Sequence, residues 1–201
     1  MQIKAIETDY NGIRFRSRRE ARWAVFFDAA GIPWEYEPEA YDLSAAPCPT
    51  CTSEGKLGAD EGECEECHNT GTVSRGSYLP DFWLPKQKMF WEVKGELVND
   101  NRLEALGAMT DTRVILAWGP IEPDHATNDD DWHHKVYPGW DHYYNWAQCS
   151  ACGALDCTYS GRADYVGCSC PNGWDRPRYG ASSVLERAFA AVRSHRFWDP
   201  R

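Results

Sequence analysis

Three charged residues interrupt an aromatic run in YLPDFWLPKQKMFWEVKG, residues 78–95: Asp81, Glu92 and Lys94. A four-residue turn at 85–88 pairs Leu84 with Met89, and the same register carries on to Asp81 opposite Glu92. Alternation along the second strand then puts Lys94 on the face of Glu92, with Trp91 and Val93 on the other. Like charges facing one another across a strand pair destabilise it and raise a carboxylate pKa, so this hairpin calls for a cation. Oxygen ligands at a sheet edge, with positions left for water and phosphate, suit magnesium.

Thiols are the second chemically active group. Of the nine cysteines, Cys48, Cys51, Cys64 and Cys67 form C-x2-C-x12-C-x2-C, two knuckles whose thiolates can converge on one tetrahedral zinc. Cys149 and Cys152, followed fifteen residues later by Cys168-x-Cys170, close a second four-thiolate set. Cys157 is left over, alternating with Leu155 and Tyr159 on one strand face as a buried structural thiol would. In an intracellular chain such spacing points to metal before disulfides. Closed four-sulfur sites leave no position for a reacting water, so both zinc ions are expected to be structural.

The elements that must hold these groups follow in order. YNGIRF turns tightly at Asn11-Gly12, and a helix follows from Ser17 with Trp23, Ala24, Phe27 and Ala30 on one face, ended by Gly31 and Pro33. PWEYEPE (33–39), YLPDFWL (78–84) and MFWEVKG (89–95) read as strands, NDNRLEALGAM (99–109) as a helix with an Asn or Asp cap, and RVILAWG (113–119) as a buried strand. The first cysteine module, 44–75, is an insertion between the first two of those strands. The expected fold class is α/β, a mixed sheet with helices on both faces. The expected organisation is a core at 1–119, an acidic and aromatic insertion at 120–148, and a C-terminal zinc knuckle with a basic helix at 149–201, the helix spanning 182–197.

Pro80-Asp81 followed by Glu92-Val93-Lys94 on the next strand, in a helix-strand-strand-strand-helix-strand order with Glu20 on the first helix, resembles the PD-(D/E)XK nuclease superfamily. The resemblance spans about residues 10–119, and the combination with a cysteine knuckle looks like phage and bacterial proteins of that class. It implies a restriction-endonuclease-like core and an Mg2+- or Mn2+-dependent hydrolase that cuts phosphodiesters, with DNA as substrate. Asp81, Glu92 and the Val93 carbonyl would hold the ion, Lys94 would position the water, and Glu20 would orient the water shell. The first cysteine module separately resembles the zinc modules of J-protein chaperones, which implies zinc and not chaperone activity. Glu20 also fits a purely structural part, as the N3 partner of Ser17 in a Ser17-x-x-Glu20 capping box.

Formal charge, −10, opposes a nucleic-acid partner, but its distribution qualifies this. RFRSRREAR carries Arg14, Arg16, Arg18, Arg19 and Arg22, candidates for backbone phosphate, and residues 176–201 carry six further arginines. Acids concentrate instead between 119 and 148, which reads as a solvated surface insertion. MQIKAIETDY has no apolar leader core and no stretch of the chain is long enough to span a bilayer, so a cytoplasmic, intracellular protein is expected. A homodimer is compatible with the resemblance, although no heptad marks one. Two competing readings are a non-catalytic, zinc-stabilised nucleic-acid-binding protein on the same scaffold, and a phage protein that binds a host protein.

Overall fold

The computed structural model describes residues 5–48, 50, 63–122, 134–137, 144–159, 168, 170, 178–179 and 182–198. Asn11 and Gly12 both take positive φ, 48° and 78°, the left-handed pair that a two-residue hairpin turn requires. They return β1 (Thr8–Tyr10) as β2 (Ile13–Phe15). Ser17 then caps α1 (Arg18–Ala30), its hydroxyl accepting the Glu20 N–H at 3.2 Å. Gly31, at φ 69°, ends the helix by donating its N–H to the Asp28 carbonyl.

β3 (Glu35–Tyr36) is shorter than its sequence suggests, because Pro33 and Pro38 flank it and Glu37 turns to φ 47°. Four two-residue strands follow: β4 (Tyr41–Asp42), β5 (Ala46–Pro47), β6 (Thr72–Val73) and β7 (Ser77–Tyr78). They pair β4 with β7 and β5 with β6, forming a neck below the first cysteine module. YLPDFWL is therefore two strands. Pro80 lacks the N–H that a continuous ladder needs, so Tyr78 belongs to the neck and β8 (Phe82–Leu84) to the sheet.

β8 pairs with β9 (Met89–Val93) in the predicted register, Leu84 opposite Met89 and Phe82 opposite Trp91. Asp100 caps α2 (Asn101–Thr110), and the crossover delivers β10 (Arg113–Ala117) parallel to β9. β11 (His134–Tyr137) closes the edge antiparallel, giving a five-stranded mixed sheet in the order β11-β10-β9-β8-β3. Among the described residues there are three helices, and the chain is mixed α/β.

Alternation divides the sheet between two cores. Phe82, Leu84, Trp91, Val93, Ile115 and Ala117 pack with α1, whereas Phe90, Val114 and Leu116 pack with Leu103 and Leu106 of α2 and with the buried sulfurs of the cysteine module. Helices thus cover both faces, as the crossover requires.

The surface-insertion reading of 119–148 fails where the structure describes it. His134–Tyr137 is a sheet strand, and β12 (Tyr144–Gln148) buries Asn145, Trp146 and Ala147. The aromatic residues outweigh the acids: Trp146 lies 5.6 Å from Phe26 and 5.2 Å from Trp91, between ring centroids. The acids Asp124, Asp129, Asp130, Asp131 and Asp141 lie outside the described residues. β12 is the middle of a second sheet with β13 (Leu155–Tyr159) and β14 (Arg178–Tyr179). Ser182 caps α3 (Ser183–Ser194), which ends earlier than the predicted 197 and packs Leu185, Ala188, Phe189 and Val192 into the core shared with α1. Cys157 is fully buried in that core, as its alternation predicts.

The C-terminal elements are therefore part of the main core. Trp146→Ala should destabilise the chain by about 3–5 kcal/mol, the cost of emptying a large aromatic site, and urea unfolding followed by circular dichroism measures it. A loss below about 1 kcal/mol, typical of a surface change, would show that the second sheet is energetically separate.

Candidate metal centres and a buried carboxylate pair

Cys48, Cys64 and Cys67 are buried, and their sulfurs lie within 4.8 Å of one another. Cys48 Sγ and Cys64 Sγ are 3.8 Å apart. Tetrahedral zinc with Zn–S bonds of about 2.3 Å separates its sulfurs by about 3.8 Å, so the spacing fits that ion. The turn behind Cys64 and Cys67 is shaped by positive φ at His68, Asn69 and Gly71 and tied by the His68 N–H to the Cys64 carbonyl at 2.7 Å. Cys51, the fourth expected ligand, lies outside the described residues.

Cys149, Cys152, Cys168 and Cys170 converge within the same 4.8 Å limit. The knuckle at its base is closed by two backbone bonds, Cys149 N–H to the Ala154 carbonyl and Gly153 N–H to the Cys149 carbonyl, at 2.8 and 2.9 Å. The backbone N–H groups of Cys152 and Ala151 bring the Cys149 thiol down to about 7, near the state in which it binds metal. Both cysteine groups can therefore hold a structural ion such as zinc, and Cys157 stands apart from them.

The carboxylate pair is built by the hairpin. Asp81 and Glu92 are each only 2% exposed. Asp81 Oδ2 accepts the Val93 N–H at 2.8 Å, and Glu92 Oε2 accepts the Asp81 N–H at 3.3 Å, so each carboxylate is held by the backbone beside the other. Glu92 Oε1 accepts from the Lys94 ammonium, and the Lys94 N–H is fixed to the Ala117 carbonyl on β10 at 2.9 Å. Lys94 is partly exposed, with about a third of its side chain reaching solvent. Burial, then the charges of Glu92 and Glu20, raise the Asp81 carboxyl well above its ordinary range. Burial works against the Lys94 charge, but attraction by Glu92 and Asp81 outweighs it and keeps the amine protonated.

Glu20 serves its own helix as well as this cluster. Oε1 accepts from the Ser17 hydroxyl at 2.6 Å, while Oε2 accepts from the Tyr36 hydroxyl at 2.5 Å and from the Arg16 N–H at 3.1 Å. The capping role is thus present in modified form, because the carboxylate reaches the N–H before the cap. Glu20, Asp81 and Glu92 do not close to within 4.8 Å of one another as the cysteines do. Arg16 links Glu20 to Asp81: its N–H reaches Glu20, and its guanidinium contacts Asp81 Oδ1 at 2.6 Å and Glu37 Oε1 at 2.7 Å.

The five arginines expected to act together divide among three places. Arg14 pairs with Glu7 on the exposed hairpin at 3.1 Å, and Arg16 joins the carboxylates. Arg18, Arg19 and Arg22 line a cleft with Arg193 of α3. Sequence reasoning missed Tyr36 and Tyr78. Tyr36 alternates with Trp34 along β3, a signal that places it beside β8. Burial, then the Glu92 charge, push the Tyr78 hydroxyl above its usual range.

Elemental analysis should find about two zinc ions per chain, with Cys64→Ser and Cys168→Ser each losing about one; a folded, metal-free preparation would refute the sites. Because the Asp81 carboxyl is raised on folding, between its ordinary range and the raised value the folded chain binds a proton there that the unfolded chain releases. Stability therefore falls as pH rises from the ordinary Asp range of about 4 through the raised value. In magnesium-free buffer, Asp81→Asn should melt higher than the natural chain near neutral pH and lose that advantage as pH drops toward about 4. An advantage independent of pH would show that Asp81 ionisation is not its cause.

The chain matches no protein-family model, and neither the curated proteins nor the solved structures include one significantly similar to it.

Proposed function

We propose that the protein is a divalent-metal-dependent nuclease with a restriction-endonuclease-like core, hydrolysing phosphodiester bonds of DNA. The observation that carries this reading is the pair Asp81 and Glu92, withdrawn from water on adjacent strands, locked by backbone N–H groups and joined to Lys94. Each carboxylate has a cation beside it, Asp81 the Arg16 guanidinium and Glu92 the Lys94 ammonium. Even so, burial and the Glu92 charge leave the Asp81 carboxyl raised well above its ordinary range, which is what a divalent ion relieves.

In this reading Asp81, Glu92 and the Val93 carbonyl hold Mg2+ or Mn2+, which supplies Lewis-acid polarisation of the phosphate and a bound water of lowered pKa. Lys94, kept protonated, sits beside the ligands and stabilises charge that develops on the phosphoryl oxygens. Arg16 faces Asp81 from the solvent side and offers a second cation to the phosphate. Glu20 acts through Tyr36 and Arg16, as a positioning residue. The zinc centres staple the long connections and take no part in bond cleavage. A DNA-processing role, in recombination or branched-DNA resolution in a phage-infected cell, follows from the sequence resemblance. Among the described residues no helix is long and apolar enough to cross a membrane.

A panel of linear duplex, nicked, branched and single-stranded DNA and of RNA, with Mg2+ or Mn2+, tests this directly. Asp81→Ala, Glu92→Gln and Lys94→Ala should each lower cleavage by at least about 100-fold, the scale of a lost electrostatic contributor to the transition state, while binding persists. Cleavage retained in Asp81→Ala and Lys94→Ala would remove the site assignment. Metal-independent binding with no cleavage of any substrate would favour the scaffold reading, which the two cysteine centres and the arginine cleft also suit.

A further inference from the structure

α1 and α3 pack along a seam in which Phe26 meets Phe189, ring centroids 4.8 Å apart. At one end of that seam, the first turns of α1, the end of α3 and residues 120–122 enclose a cleft of about 410 Å³. Arg18, Arg19, Arg22 and Arg193 line it, with Glu122 as its acidic member. Among the described residues Arg19, Arg22 and Arg193 have no carboxylate partner. Arg22 Nη1 instead donates to the Val192 carbonyl at 3.3 Å, which holds it at the cleft wall. By contrast Arg14, Arg16, Arg75, Arg102 and Arg113 each have an acid beside them.

Even in a chain of net charge −10, gathering four arginines from two helices with Glu122 as the one acid among the described lining residues is electrostatically unfavourable at short range. Burial and the neighbouring Arg22 both disfavour the charge on Arg19, a strain that a bound anion would release. Guanidinium groups suit oxyanions such as phosphate and carboxylate, because their planar forks match the oxygens in pairs. The volume falls in the range of pockets that take a ligand of nucleotide size.

We propose that this cleft binds a phosphate group of a nucleic-acid strand through Arg19, Arg22 and Arg193, as an anchoring point distinct from the carboxylate pair. The strand as donor rests on the nuclease reading above; the anion site does not. The two places are linked along the chain: Arg19 adjoins Glu20, and residues 120–122 follow the β10 end to which Lys94 is tied. A strand crossing the carboxylates can therefore rest a neighbouring phosphate in the cleft. Such an anchor positions the strand without reading sequence.

The experiment uses the full, zinc-loaded chain and fluorescence anisotropy of labelled oligonucleotides in magnesium-free buffer, with Arg19→Gln/Arg193→Gln compared with the natural protein. Affinity should fall at least about tenfold, and the slope of log K against log salt should flatten by about 0.7–0.9 for each phosphate no longer neutralised. An oligonucleotide with a neutral methylphosphonate backbone should bind natural and variant proteins alike. Unchanged affinity and slope in a variant with normal melting and zinc content would overturn the proposal. Strong competition by a free mononucleotide or inorganic phosphate, with no effect of the variant on oligonucleotide binding, would overturn the strand assignment. The two readings fail separately. A cleft effect in a chain that cleaves nothing leaves the anchor standing without the nuclease, whereas Asp81-dependent cleavage with no cleft effect does the reverse.

Discussion

Placing two carboxylates on neighbouring strands with almost no access to water is the most demanding condition in this molecule. Ionised groups lose hydration when buried, and like charges add repulsion to that loss. The surroundings of Asp81 and Glu92 can be understood as answers to those two costs. The Val93 and Asp81 N–H groups orient the oxygens, and Lys94 and Arg16 bring positive charge from opposite sides. Each of those partners needs a rigid origin. β9 supplies it, since it is hydrogen-bonded antiparallel to β8 on one side and parallel to β10 on the other.

The aromatic core is the source of that rigidity. Trp23, Phe27, Phe82, Trp91 and Trp146 contact one another through edge-on and tilted rings behind the hairpin, so β9 cannot shift register without disrupting them all. α3 extends the same core across α1, and the seam between those helices gathers Arg18, Arg19, Arg22 and Arg193 to within a turn of Glu20. Packing and electrostatics therefore share elements: residues that fill the interior also set where the charged side chains emerge.

Much of this arrangement was legible in the sequence. The Asn11-Gly12 turn, the Ser17 cap, the Gly31 stop and the Leu84–Met89 register all rest on local rules, and the structure obeys them. Convergence of Cys149, Cys152, Cys168 and Cys170 likewise follows from spacing alone. What local rules did not reach was competition between distant segments. Residues 134–137 and 144–148 sit amid acids that suggest a solvated loop, yet the β10 edge and the Phe26–Trp91 surface recruit them. The arginines around Ser17 look like one cluster in the chain, but Arg16 precedes the helix cap and reaches Asp81, whereas Arg19 lies in the first helical turn and faces the cleft. Tyr36 reached Glu20 for a related reason, through a pairing with β8 that lies far away in sequence.

The neck formed by β4 with β7 and β5 with β6 changes what the cysteine module can do to the rest of the molecule. Its ladders are only two residues long, so the loop beyond them can lengthen or shorten at small entropic cost while the buried sulfurs stay packed against Phe90 and α2. The neck is nevertheless not insulating, because its last residue, Tyr78, is buried next to the Glu92 charge. Metal capture that tightened the neck would press on the polarity around a carboxylate from a distance. The module and the hairpin thus share one boundary residue, Tyr78.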